Sequence, residues 1–248
     1  MTDRIRELVR RTVPIGARHA MKRLAGRPVT PRSGHVRFGD LRRTTPISSD
    51  FGYARGGPVD RYYIEGFLER HAGDIRGRVL EVGDASYTHR FGGSRVVQAD
   101  VLHIDPAAAG VTFVGDLADG SMLPDDAFDC IVLTQTLHLI FDYVAALRTL
   151  ERILVPGGVL LLTVPGISNI ATDEWGDTWY YSFTHHALGR ACDAVFGRDR
   201  SEVESHGNVL SALAFLHGLG QDELTEAELD EQHVEYSIVN AVKVTKAV

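Results

Sequence analysis

Arg78-Val-Leu-Glu-Val-Gly-Asp-Ala-Ser-Tyr87 is a short apolar run closed by a glycine, followed by small and polar residues. Such a run reads as a buried strand ending in a turn where the backbone can approach a ligand closely. Working outward, Arg95-Val-Val-Gln-Ala-Asp100 reads as a second strand, ending at Asp100. Val111-Thr-Phe-Val-Gly115 is a third, ending at Asp116, and Asp129-Cys-Ile-Val-Leu-Thr134 a fourth. Residues 143–154 place Val144, Leu147, Leu150 and Leu154 at helical spacing, Pro156-Gly157-Gly158 stops that helix, and Val159-Leu-Leu-Leu-Thr-Val164 is a fifth strand. Runs apolar on both faces indicate a parallel sheet covered by helices. The link between the second and third strands is only about ten residues, short for a crossover helix, so a helix is expected to be reduced or lost there.

Before the first strand, residues 59–71 read as a helix with Tyr63, Phe67 and Leu68 on one face and Ile64 near its edge. After the fifth, residues 187–196, 210–218 and 223–231 read as helices, 202–209 as a strand, and 236–246 as a final strand. The expected fold is α/β, Rossmann-like and doubly wound, with a mostly parallel sheet and an antiparallel C-terminal strand.

Composition sets outer bounds. The 248 residues are 44% hydrophobic and 24% charged, enough for a large core without staples. Cys130 and Cys192 form no CxxC pair, which argues against a disulfide scaffold or zinc ribbon. There is no run of about 18 apolar residues and no apolar stretch of the secretory type near the start, so a cytoplasmic protein is expected. Charge is uneven: residues 1–43 hold twelve Lys/Arg against three acids, a net +9, and the remainder holds fourteen against thirty, a net −16. The acidic body argues against nucleic acid as a partner. The division is a basic arm over 1–45 and a domain over 46–248. Ile5, Leu8 and Val9 give the arm one short apolar helical face before Pro14, which reads as a solvated arm or as a weak contact with an anionic membrane surface.

In an open parallel sheet, ligands sit at the carboxyl ends of the strands, where the strand order reverses. The polar residues read at those ends are Glu81 and Gly83, Asp100, Asp116, and Thr134 with Gln135. A nucleoside needs close backbone approach, a carboxylate for its ribose hydroxyls and a polar group facing its base. Asp100 follows Gly83 by seventeen positions, near the ~20 of a ribose-binding acid in a nucleotide fold. A single acid after a strand is also an ordinary turn residue; the series is what points to a ligand. G-x-G-x-x-G and G-x-x-x-x-G-K-[ST] are absent, which disfavours nicotinamide and P-loop readings.

Val79-Leu-Glu-Val-Gly83, Val111-Thr-Phe-Val-Gly-Asp-Leu117, Leu123-Pro-Asp-Asp-Ala-Phe-Asp129, Thr136-Leu-His138 and Ile153-Leu-Val-Pro-Gly-Gly158 together resemble class I S-adenosylmethionine-dependent methyltransferases of the methyltransferase type 11 group. The resemblance covers residues 76–170. It implies S-adenosyl-L-methionine as cofactor, Glu81 and Gly83 at its methionine end, Asp100 on the ribose, and Asp116 with Leu117 at the adenine. Arg55-Gly-Gly-Pro-Val-Asp-Arg-Tyr-Tyr-Ile-Glu65 resembles a segment of bacterial methyltransferases that accompany sugar or polysaccharide biosynthesis. The family loop reads E-x-G-x-G-x-G. Here Ala85 and Tyr87 replace the second and third glycines, so the loop must take another path or the cofactor must sit differently.

Methyl transfer to a hydroxyl benefits from a base, and histidine suits that role. His138 reads equally as that base or as a packed residue beside Leu137 and Leu139. His185, with His186, is a weaker candidate, its alternative being a solvated helix start. No spacing suggests a metal site. Trp179, within Trp179-Tyr-Tyr-Ser-Phe-Thr184, reads as core or as a wall over the acceptor. Arg55 and Tyr63 could close the opposite side, with Arg55 pairing to an anionic acceptor or to a structural acid. The expected activity is O-methylation of a small-molecule or glycan-type acceptor; the alternative is a non-catalytic cofactor-binding or interaction protein with a degenerate methyltransferase fold.

Overall fold

The computed structural model describes residues 30–171 and 175–248, with isolated positions before them. The apolar helical face read in the arm, on which the expectation of a membrane contact rests, lies outside the described residues. Two compact units are distinguished, Met1–Thr44 and Thr45–Val248. In the first, Gly39–Leu41 form a 3-10 turn, and the Arg42 guanidinium stands 5.8 Å from the Phe38 ring centroid.

The second unit is built on a seven-stranded sheet. Its strands are β1 (Gly77–Val82), β2 (Val96–His103), β3 (Phe113–Val114), β4 (Phe128–Thr134), β5 (Leu154–Pro165), β6 (Ser201–His206) and β7 (Val239–Thr245), in the order β3-β2-β1-β4-β5-β7-β6. The first five are mutually parallel. β7 runs antiparallel to both β5 and β6. This is the expected Rossmann-like architecture with its antiparallel C-terminal strand.

The helices are α1 (Val59–Arg70), α2 (Tyr143–Ile153), α3 (His185–Phe196), α4 (Val209–Leu216) and α5 (Glu226–Asp230). α2 begins where the Asp142 carboxylate accepts from the Ala145 amide at 3.0 Å, and buries Ala146, Leu147, Leu150 and Ile153 along one stripe. With α3 it covers one sheet face, burying Ile131, Leu133, Leu160 and Leu162. α1 and α4 cover the other, over Val79, Val132, Leu161 and Ala241, and Ile64 of α1 is wholly buried there rather than at an edge.

Among the boundaries that differ from the sequence reading, those of β5, β3 and β2 bear on the site. β5 starts at Leu154 and runs through Pro156-Gly157-Gly158, which occupy a register irregularity between the Phe128–Leu154 and Cys130–Val159 pairs rather than a turn before the strand. β3 shrinks to two residues. β2 continues three residues past Asp100, and the link from β2 to β3 contains no helix.

Candidate active site

The sheet order reverses between β1 and β4, so a crevice opens at their carboxyl ends. Gly83 closes β1 with φ +104°, and a Cβ built there meets no atom within 4 Å. Its amide donates to the Leu102 carbonyl at 3.0 Å, which fixes the backbone while leaving the outer side open. Only glycine takes this conformation cheaply. The chain then turns through Asp84, whose carboxylate accepts from the Ser86 amide at 2.7 Å, into a π-helical turn at Thr88–Gly92.

Glu81 is buried at 3% exposure. Its carboxylate accepts from the amides of Tyr87 at 3.3 Å and Thr88 at 2.7 Å, at the start of the π turn. Burial pushes its pKa up to about 7 against the pull of those hydrogen bonds. Glu81 therefore fixes the shape of the loop. Ala85 stays out of the left-handed region, where among the described non-glycine residues only Phe51, Asp126, Gln135 and Asp199 fall. Tyr87 leaves the crevice clear. Its ring packs under α1 with Phe91, centroids 5.8 Å apart, and its hydroxyl accepts from the Arg61 guanidinium.

Asp100 is the main correction. It lies inside β2, opposite Leu80, at 1% exposure. Arg78 Nε donates to it at 2.7 Å, and Gln98 Nε2 reaches its two oxygens at 3.1 and 3.0 Å. Its acceptor capacity is taken up within the sheet. Val82 pairs with Leu102, so the residue level with Gly83 at the tip of β2 is His103, followed by Ile104 and Asp105. His103 Nδ1 accepts from the Asp105 amide at 2.9 Å. The sequence reading passed over this tip, although Val101-Leu102 is the apolar continuation that would have located it.

Beyond β3, Asp116 is exposed, and its carboxylate accepts from the Ala118 amide at 2.9 Å. Leu117 turns inward and packs in the core beneath α2. At the tip of β4, Thr134 pairs with Thr163 of β5. Gln135 follows with φ +46°, a costly conformation for a side-chain-bearing residue. Its amide donates to the Thr163 carbonyl at 2.9 Å, and its buried Nε2 has no protein partner.

Next, Leu137–Leu139 make a 3-10 turn carrying His138. The imidazole is 1% exposed, and neither ring nitrogen has a hydrogen-bond partner. Burial lowers its pKa to about 4, so the ring is neutral near pH 7. Trp179 packs edge-on against it, centroids 4.5 Å apart. The amides of Tyr180 and Tyr181 donate to the His138 carbonyl at 3.1 and 3.3 Å, clamping the aromatic segment onto this turn. The structure thus brings His138 and Trp179 together. His185 starts α3, half-buried, its ring 3.9 Å from that of His186. Asn169, after β5, also has a buried Oδ1 without a partner; no sequence signal marked it.

Arg55 and Tyr63 are engaged elsewhere. Arg55 pairs with Glu223. Tyr63 is 3% exposed, donates its hydroxyl to the Leu229 carbonyl at 2.9 Å and stacks on His206. A cavity of about 310 Å³ lined by Tyr62, Glu69, Arg90 and Asp230 lies along the flank of α1 and includes none of the β1, β2 or β4 tip residues.

The open cradle at Gly83 and the unpartnered Gln135 Nε2 are features of these tips that fit an adenosyl donor. The sheet order and this crevice define a class I S-adenosylmethionine-dependent methyltransferase fold. The family model described as Methyltransferase domain (Methyltransf_23) matches residues 50–200, and the chain belongs to that family. It is 34% identical over 88 residues to the ubiquinone/menaquinone biosynthesis C-methyltransferase UbiE of Pectobacterium carotovorum, the match covering 34% of this chain and 33% of that protein. The chain thus aligns with about a third of the length of the curated relatives it matches. Among solved structures, a SAM-dependent methyltransferase from Archaeoglobus fulgidus superposes with a TM-score of 0.52 at 13% identity, covering 75% of this chain and 94% of its own. Phosphoethanolamine N-methyltransferase 2 of Haemonchus contortus, in complex with S-adenosyl-L-methionine, gives 0.53 at 16%, covering 98% and 60%. At these identities the structural likeness concerns the fold.

Proposed function

We propose that this protein transfers the methyl group of S-adenosylmethionine to an oxygen of a small-molecule acceptor, glycan-type acceptors included. When bound, S-adenosylmethionine supplies an electrophilic methyl on a positively charged sulfur. Backbone at Gly83, the β2 tip at His103 and Asp105, and the Gln135 amide would hold it. The carrying observation is His138, neutral, buried, without a partner for either nitrogen, and packed against Trp179 just past the β4 tip. The ring is weakly basic at rest, and it can accept the proton of a hydroxyl because methylation makes that oxygen strongly acidic. His138 would hold the acceptor hydroxyl by a free ring nitrogen and would take its proton as the oxygen is methylated. Exclusion of water by Trp179 and Tyr181 favours a neutral nucleophile aligned with the methyl.

A second reading is methylation at carbon of an aromatic acceptor. It is favoured by the aromatic wall of Phe141, Tyr180 and Tyr181 and by the similarity to the C-methyltransferase UbiE. Label transfer from methyl-labelled S-adenosylmethionine to panels of sugars, phenols and quinols decides between them. O-linked label that disappears in His138→Gln, with S-adenosylhomocysteine affinity preserved, is the expected result. C-linked label selects the second reading. Cofactor binding with no transfer to any acceptor marks a non-catalytic protein.

A further inference from the structure

Helix α4, Val209-Leu-Ser-Ala-Leu-Ala-Phe-Leu216, is apolar except for the buried Ser211 that caps its start. Its inner side buries Ala212, Ala214 and Phe215. Val209, Leu210, Leu213 and Leu216 lie on the outer side, 40% to 53% exposed. At helical spacing these four make one continuous aliphatic stripe. The neighbouring 3-10 turn adds exposed Val234 and Tyr236, and its His233 amide is held to the Gly207 carbonyl at 2.8 Å, just before α4. A contiguous apolar surface of this kind marks an interaction site more often than a solvated face.

Charge identifies the occupant. Residues 207–242 contain no Lys or Arg and seven acids: Asp222, Glu223, Glu226, Glu228, Asp230, Glu231 and Glu235. All seven are exposed. Glu228 and Glu231 are tied to the start of α4, where the side chain of its N-cap Asn208 donates to their carbonyls at 2.7 Å each, whereas Glu223 is paired with Arg55. An anionic membrane would be repelled by this surround. A second copy placed face to face would set the same acids against one another. A basic helix with one aliphatic face satisfies both the stripe and its surround.

We propose that the outer face of α4 is a docking surface for a basic amphipathic helix of another protein. β6 ends and β7 begins at the sheet edge where Pro165 of β5 pairs with Val239. The surface therefore adjoins the edge that carries the strand tips, where a docked helix could influence access to the site. The inference does not depend on which acceptor is methylated.

The test uses the full chain and a synthetic Leu/Lys peptide of about 14 residues with its leucines on one helical face. A peptide of identical composition with dispersed leucines is the control. Calorimetric titration should show binding to the first peptide that weakens roughly tenfold or more in Leu213→Glu, an exposed position that leaves the core intact. Glu226→Lys/Glu231→Lys should weaken it several-fold, and added salt should do the same. Equal binding of the two peptides, or binding unaffected by Leu213→Glu, would overturn the proposal. So would self-association, or sedimentation with phosphatidylglycerol vesicles, that Leu213→Glu abolishes, since each assigns the stripe to another occupant.

Discussion

Two buried side chains show how environment sets a residue's part. The folded His138 imidazole titrates near 4 and the unfolded one near 6.5, so between those values the unfolded chain binds a proton that the folded chain refuses. Its contribution to stability is complete above pH 6.5 and is lost as pH falls toward 4, on the order of 3 kcal/mol in all. Glu81 slopes the other way. With its folded pKa raised from 4.5 to about 7, its contribution is present below 4.5 and lost as pH rises through 7. The difference between wild type and His138→Gln in urea unfolding at pH 4.5 and 7 therefore isolates the histidine. Wild type should lose stability relative to the variant at the lower pH, and an unchanged difference would mean that the ring is hydrated or paired in the folded protein. At Asp100, replacement by Asn should destabilise by about 3 kcal/mol, because Arg78 loses its buried partner. S-adenosylhomocysteine affinity of the folded fraction should remain near wild type. A large loss of affinity with intact stability would return Asp100 to the ribose.

At the scale of elements, the tip of β4 is strained at Gln135, the residue proposed to face the donor. Gln135→Gly should relieve the positive φ and stabilise by about 1 kcal/mol in thermal or urea unfolding. It should also weaken S-adenosylhomocysteine binding several-fold through loss of the side-chain amide. A more stable variant with undiminished affinity would take Gln135 out of the donor site. These tips also show what the sequence could reveal. Apolar runs located β1, β4 and β5 because buried parallel strands leave an unbroken hydrophobic record. The end of β2 was misread because Asp100 looked like a terminator, while the Arg78 that neutralises it sits on the neighbouring strand, 22 positions away. The sequence offers Tyr63 as acceptor-facing and leaves Arg55 between an anionic acceptor and a structural acid, because their partners, Leu229 and Glu223, are remote in sequence. Gln135 was legible as a tip residue, but its strain and unpartnered amide depend on the register with Thr163.

For the whole molecule, the sheet order β3-β2-β1-β4-β5-β7-β6 converts separate turns into one crevice. Gly83 and Gln135 come to the same edge only because β1 and β4 are neighbours running in the same direction. A ligand bound by the folded state alone raises stability by mass action, about 2.7 kcal/mol at a hundredfold excess over Kd. The adenosyl product should therefore raise Tm, and NAD at the same concentration should not. The most direct test is calorimetric titration of S-adenosylhomocysteine into wild type and Gly83→Ala. A methyl group there fills the open cradle and forbids φ +104°. Wild type should bind one equivalent, and Gly83→Ala, still folded, should lose at least about tenfold in affinity. No binding by wild type at millimolar ligand, or equal binding by both proteins, would contradict a donor site at the strand tips.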